Sequence, residues 1–511
     1  MAILRYSASA DTTITNAFEA NLQTRGTGSN MGFADSLEVF SIYGQESGSN
    51  GQSQELSRIL VQFPVEVISA DRTAGTIPAS GSMSFYLKMY NAEHPWTLPQ
   101  DFNLIVAPVS QSWIEGDGLD MDEYKDLGKA NWMSASNSTG WTSVGGDYLT
   151  SDNSNVYFEL GYEDIELDVS EVVENWIKGA GGGKYNNYGF GVHLTASQEA
   201  YFSSSLGINS GSVIQNPQGA QQSYYTKKFF ARSSEFFYKR PVIEARWDSR
   251  VTDNRENFFF SSSRAPAEDN LNAIYLYNYV RGRLRNIPAV GTNNMLVTLY
   301  SSSNSAPTGS GLALSLGGGV TGAGNLNITA SYVSTGIYKC EVALTTSNVL
   351  SPIQAIHDVW HSGSVEYFTG SIFPEVMPTY ESAPTFNRIT SCRNLKKVYS
   401  TADTARFRFF VRSRDWSPTI YTVATAVNPT EVIESASFSI HRVTDNLAVI
   451  PYGTGSNLST YLSYDKKGNY FDLDMSLLEG DYMYEIRLSY YNDSIGSWQE
   501  QPQTFKFRVE E

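Results

Sequence analysis

The side chains suited to chemistry are few and scattered. Five histidines, His94, His193, His357, His361 and His441, form no HExxH pair and no Cys/His cluster of zinc-site spacing. Only HDVWH sets two imidazoles, His357 and His361, at the i and i+4 spacing that a helix would turn to one metal, and its neighbours read as strand or loop. No GxSxG elbow, P-loop or GxGxxG fingerprint stands between a strand and a helix, so the common hydrolase and nucleotide routes lack their local geometry. GAGGGKYNN has the glycines and the Lys184 of a phosphate cradle, yet it follows a helix and so lacks the N-terminal dipole that a cradle uses. Carboxylates gather in EGDGLDMDEYKD, where Asp117, Asp120 and Asp122 offer the hard oxygens that calcium takes. The spacing misses the EF-hand pattern, and a solvated acidic loop is the competing reading. Trp96, Trp132 and Trp141 are the candidate rings for stacking a sugar, with core packing as their other fate. No catalytic residue is expected, and no cofactor beyond calcium.

The elements that would hold these residues are strands. Among 511 residues only 17% are charged while 13% are aromatic, and Gly, Ser, Thr and Asn punctuate short apolar runs, which is an all-β composition. A length of this size calls for two to four domains. The net charge of -17 argues against a nucleic-acid partner, because phosphate binding needs clustered Lys and Arg. No apolar run approaches a membrane span, and the start MAILRYSASADTT lacks a signal-peptide core; synthesis and assembly in a host cytoplasm are expected, without membrane contact. Cys340 and Cys392 fit reduced thiols better than a disulfide scaffold, although one bridge between them is the alternative.

Three segments follow from the pattern: a β-sandwich over 1–248, an immunoglobulin-like sandwich over 249–390 and another over 391–511. WDSRVTDNREN marks the first boundary and the Pro-containing FPEVMPTYESAPTFN the second. One helix interrupts the strands. Val169, Val172, Val173, Trp176 and Ile177 share a face at helical spacing, Asp168 and Glu171 stand as a capping box, and Gly179 closes the end. Such a short amphipathic helix must pack over a sandwich core. In the last segment Phe407, Phe409 and Val411 alternate with Arg406, Arg408, Arg412 and Arg414, giving a basic face that is either solvated or turned to an acidic partner.

The order of ADTTI (10–14), SRILVQFPV (57–65), SMSFYLKMY, SWIEGDG (112–118), the stretch from NWMS to GWTS, and DVSEVVENWIKG followed by NNYGFGVHL resembles the jelly-roll modules of the DNRLRE type, carbohydrate-binding-like sandwiches of bacterial and phage proteins. The resemblance covers residues 1 to about 248 and implies that the helix is a lid with Trp176 in the core. Insertions such as SIYGQESGSNGQSQE and the segment 201–239 depart from that pattern. A jelly roll followed by two immunoglobulin-like sandwiches resembles the architecture of tailed-bacteriophage virion components. That resemblance implies a non-enzymatic structural protein of neck, tail or baseplate, homo-oligomeric, with other virion proteins as partners. The alternative is an adsorption or decoration protein that holds host glycan through the jelly roll.

Overall fold

A computed structural model describes residues 2–44, 54–93, 99–121, 126–179, 182–203, 211–302, 307, 309–312, 327–345, 355–377, 388–414, 416–417, 419–420, 430–492 and 495–511. The chain is all-β, with antiparallel sheets accounting for nearly all of its elements. It divides into two compact units, Ala2–Asp248 with Leu477–Glu479, and Ser249–Ser476 with Gly480–Glu511.

The first unit is a sandwich. One sheet runs in the order Ile3–Ser7, Val242–Trp247, Met83–Met89, Ile165–Asp168. The other runs Tyr224–Phe230, Ser36–Tyr43, Gln54–Gln62, Phe190–Leu194, Phe102–Pro108, Ser154–Phe158, with Ala10–Thr15 also paired to Gln54–Gln62. Their inward side chains, among them Phe85, Leu87, Ile243, Ile59, Leu104 and Phe190, form one core. Strand Gln54–Gln62 explains why its sequence lacks clean alternation. Ile59 and Val61 face that core, whereas Leu56 and Leu60 face a second cluster beneath the loops, with Trp113, Trp132 and Trp141. A strand covered on both faces carries apolar residues on both of them.

Among the described residues α1, Val65–Ala74, and α2, Ser170–Lys178, are α-helices, where the sequence predicts only the second. The spacing of α2 holds, since Val169, Val172, Val173 and Trp176 are buried in the core and Trp176 lies 4.7 Å from the Phe190 ring. Its entry differs from a capping box. Asp168 accepts the Ser170 N–H at 2.9 Å, and Glu171 pairs with Lys184 Nζ at 2.6 Å instead of reaching back. Helix α1 buries only Val65 and Ile68, so its pattern reads as a continuation of the preceding strand; Gly75, at φ 75°, stops it in a left-handed turn. Arg72 of α1 grips Glu174 of α2 with two bonds, at 2.6 and 2.7 Å, which fixes the pair of helices together.

The second unit holds two sets of sheets. Six strands in the order Asn272–Tyr277, Ile337–Val342, Asn327–Ser334, Met295–Ser302, Ala355–Ser362, Val365–Ile372 surround a core that includes Trp360, Tyr338 and Ile328. Residues 388–510 form the second set. A four-stranded sheet through Thr404–Ser413 and Gly468–Asp474 meets a six-stranded sheet through Met483–Asn492 and Ala436–Arg442. Rings from both sheets interlock there, with Phe438 stacked on Phe471 at 3.8 Å and Phe407 against Phe507 at 5.4 Å. Main-chain bonds tie the two sets, from Tyr464 N–H to Val251 O at 2.9 Å and from Asp253 N–H to Tyr464 O at 3.1 Å.

The alternation on Thr404–Ser413 is as the sequence reads it: Phe407, Phe409 and Val411 are buried. Its basic face, however, meets acids of its own sheet. Arg406 forms a two-pronged pair with Asp472 at 2.7 and 2.8 Å, and Arg408 with Asp465 at 2.7 and 2.9 Å. Cys340 and Cys392 are not bridged.

Candidate functional site

The loops over the outer face of the seven-stranded sheet carry Trp132 and Trp141, and they bury both rings. Trp132 is fully enclosed and donates its Nε1–H to Ser212 O at 2.7 Å; Trp141 is buried and donates to Asn131 O at 2.8 Å. These rings are therefore core, not exposed stacking platforms, because three loops close over a sheet face that would otherwise leave Leu56 and Leu60 in water. Trp96 lies outside the described residues.

Beneath Trp132 sits a charge that the sequence hides within an apolar strand. The Arg58 guanidinium, 5.5 Å from the Trp132 ring, forms a forked pair with Glu199 through Nε at 3.0 Å and Nη2 at 2.9 Å, and gives a further bond to Gly145 O. Glu199 keeps Arg58 charged in this dry setting. Burial and the nearby Arg58 charge push His193 down to about 3, so its imidazole is neutral, and burial pushes Tyr148 up to about 12. The buried ion pair is thus flanked by a neutral imidazole and a neutral phenol. The signal available in the sequence was the Arg of SRILVQ, a lone charge inside an apolar run.

A second polar knot joins three segments. Asp11 is fully buried; its N–H donates to Glu115 Oε1 at 2.7 Å, its carboxylate accepts the Arg232 N–H at 2.6 Å, and the Arg232 guanidinium closes on Glu115 at 2.8 Å. Burial, with a contribution from Glu115, raises Asp11 to about 7 against the opposing pull of Arg232. The folded form thus holds this proton far more tightly than the unfolded chain does. Its stabilising effect is complete below about pH 4 and is lost as the pH rises to about 7. Asp11→Asn has no proton to lose. The unfolding free energy of wild type relative to this variant should fall between those limits and level off above them, as urea unfolding at several pH values will read. A difference that stays flat across the range would refute the assignment.

Among the described residues of the acidic loop no cluster of cation ligands forms. Asp117 and Asp120 are exposed, the Asp117 N–H donates to Asp126 at 3.1 Å, and no group of three His, Cys, Asp or Glu side chains suited to a metal occurs among the described residues; Asp122 lies outside them. Asn30 organises the loop instead. It is buried against Gly116 and Gly118 and accepts the Gly118 N–H at 2.9 Å; a Cβ at Gly116 would lie 2.0 Å from its side-chain nitrogen. HDVWH lies on strand Ala355–Ser362, with His357 buried and His361 Nε2 within 2.8 Å of Thr298 Oγ1, so the pair does not share a helix face.

Beside this loop a cleft of about 330 Å³ is lined by Glu19, Arg25, Gly28, Leu127, Asn131 and Ser134 among others. Arg25 is occupied within the fold, donating to Asn16 O at 2.7 Å and Gln54 O at 2.8 Å over the Phe18 ring. Among the described residues the lining is polar and aliphatic, with Met133 and Leu127 as its apolar members.

Fold and site together define an all-β protein of several sandwiches in which the buried Arg58 is matched by Glu199. No protein-family model matches the chain, and no curated protein matches its sequence. Among solved structures it aligns with native Escherichia coli alpha-2-macroglobulin at 8% identity and a TM-score of 0.15, and with the trypsin-activated form of that protein at 9% and 0.15. Salmonella alpha-2-macroglobulin reacted with methylamine aligns at 10% and 0.15. These alignments cover 99%, 92% and 99% of this chain but only 28%, 30% and 34% of those proteins, and likeness at that level carries no conclusion about fold or function.

Proposed function

We propose that this chain is a non-enzymatic structural component of a tailed-bacteriophage virion, placed in neck, tail or baseplate and assembling in several copies with itself and other virion proteins. The observation that supports this reading is where the apolar surface lies. Sealed cores coexist with large exposed side chains at the sheet rims and turns: Phe33, Phe236 and Phe237 in the first unit, and Val365, Phe373 and Val376 in the second. Groups of exposed apolar residues of this kind serve contacts with other proteins. Repetition in a symmetric particle turns modest individual interfaces into tight binding. The jelly-roll and immunoglobulin-like topologies belong to the same reading, as does assembly in the host cytoplasm.

Light scattering on the purified full chain should give a multiple of 56.6 kDa that grows with concentration. In lysates containing the particles, the chain should sediment with intact virions at several copies each. Recovery only as a monomer in the soluble fraction would overturn the proposal.

A further inference from the structure

Around the Glu115–Arg232 ion pair, the first unit carries two surfaces of opposite sign. On one side, the turn 231–240 exposes Phe236 and Phe237, at 46% and 63%, among cations. Lys239 Nζ lies 5.8 Å from the Phe236 ring and the Arg240 guanidinium 5.4 Å from Phe237, while Glu235 is the one acid in that turn. On the other side, Asp117 and Asp120 are exposed, with Leu119 between them at 53% and Phe33 alongside at 49%. The Phe33 N–H donates to Gly118 O at 3.0 Å, which holds that ring to the acidic loop. The two sides adjoin. Arg232 reaches Glu115 at 2.8 Å, and the Ala231 N–H donates to Asp35 O at 2.9 Å, two residues from Phe33.

In a chain of net charge -17, a cationic turn that displays two phenylalanines is a local exception. Each side combines an apolar centre with a charged border, and the charges are complementary. Adjacent complementary halves on one body are what a twofold axis requires, since rotation sets the basic half of each copy against the acidic half of the other. We infer that this surface is an isologous contact between two copies of the chain: Phe236 and Phe237 seat against Leu119 and Phe33, and Lys239 and Arg240 face Asp117 and Asp120. The inference rests on the multi-copy reading above and names the partner for one face of it.

Charge reversal tests it on the full chain. One variant carries Lys239→Glu and Arg240→Glu; the other carries Asp117→Lys and Asp120→Lys. Sedimentation velocity should show each alone with self-association weakened at least about tenfold, because like charges then meet across the axis. An equimolar mixture should regain association, since the two reversed halves match each other and so do the two untouched halves. Phe237→Ser, a change at an exposed position, should weaken association without lowering the melting temperature. If wild type associates and neither charge variant changes that, this contact is wrong while multi-copy assembly stands. A wild type that is monomeric at every concentration removes both, and two monomeric variants that fail to associate when mixed remove the twofold pairing.

Discussion

Asp358→Ala should destabilise the second unit by about 3–5 kcal/mol, the cost of leaving a buried charge without its partner. Asp358 is fully buried on strand Ala355–Ser362, and its two oxygens accept Arg255 Nη1 at 2.6 Å and Nη2 at 2.7 Å. The Trp360 Nε1–H adds a third bond at 2.7 Å. Truncation strips the guanidinium of both short bonds and the indole N–H of its acceptor, leaving Arg255 a longer bond to Tyr275 O at 3.4 Å and the Phe368 ring 5.7 Å away. Space there is tight: a Cβ at Gly370 would come within 2.4 Å of Arg255 Nη1 and 2.5 Å of Asp358 Oδ1. Urea unfolding followed by tryptophan fluorescence should show two transitions, one for each unit, with only that of the second unit displaced. The double change Arg255→Met with Asp358→Leu should recover most of the loss, because an apolar pair of similar volume removes both desolvated charges. A loss below about 1 kcal/mol for Asp358→Ala would mean that water or another group reaches Arg255.

Trp132→Ala should cost the first unit about 3–5 kcal/mol, in the range for deleting a large buried ring. The effect has two parts. Removal opens a cavity in the cluster that holds Leu56, Leu60 and Trp141, and it uncovers the Arg58–Glu199 pair lying under the indole. Gly145 is fitted to this ring: its φ is +87°, and a Cβ there would lie 2.8 Å from Trp132 Cη2. Trp132→Phe should recover part of the loss, as the smaller ring fills some of the space without the bond to Ser212. Calorimetry on the three proteins measures this directly. An alanine variant with unchanged melting temperature would return Trp132 to the list of surface rings.

Local patterns were the legible part. The helical stripe of Val169, Val172, Val173 and Trp176, and the alternation of Phe407, Phe409 and Val411, follow from spacings within a single element. Helix α1 escaped because only Val65 and Ile68 are buried, too few to set a period that distinguishes a helix from the strand before it. Of the two fates open to the rings of Trp132 and Trp141, stacking platform or core, the structure shows the core, since loops from distant positions cover them. The basic face of Arg406 and Arg408 was visible too, whereas its neutralisation by Asp472 and Asp465 depends on which strand lies alongside.

By itself the sequence determined an all-β chain, strand positions, the amphipathic helix Ser170–Lys178 and an acidic net charge, because each is written in composition or in residues a few positions apart. Only the tertiary structure decided which polar groups are buried and with whom. Arg58 and Glu199 stand 141 residues apart, and Arg255 and Asp358 stand 103 apart. A buried charge is tolerable only where folding brings its counter-charge to within hydrogen-bond distance, and that proximity is set by sheet order and loop closure, which no local spacing records.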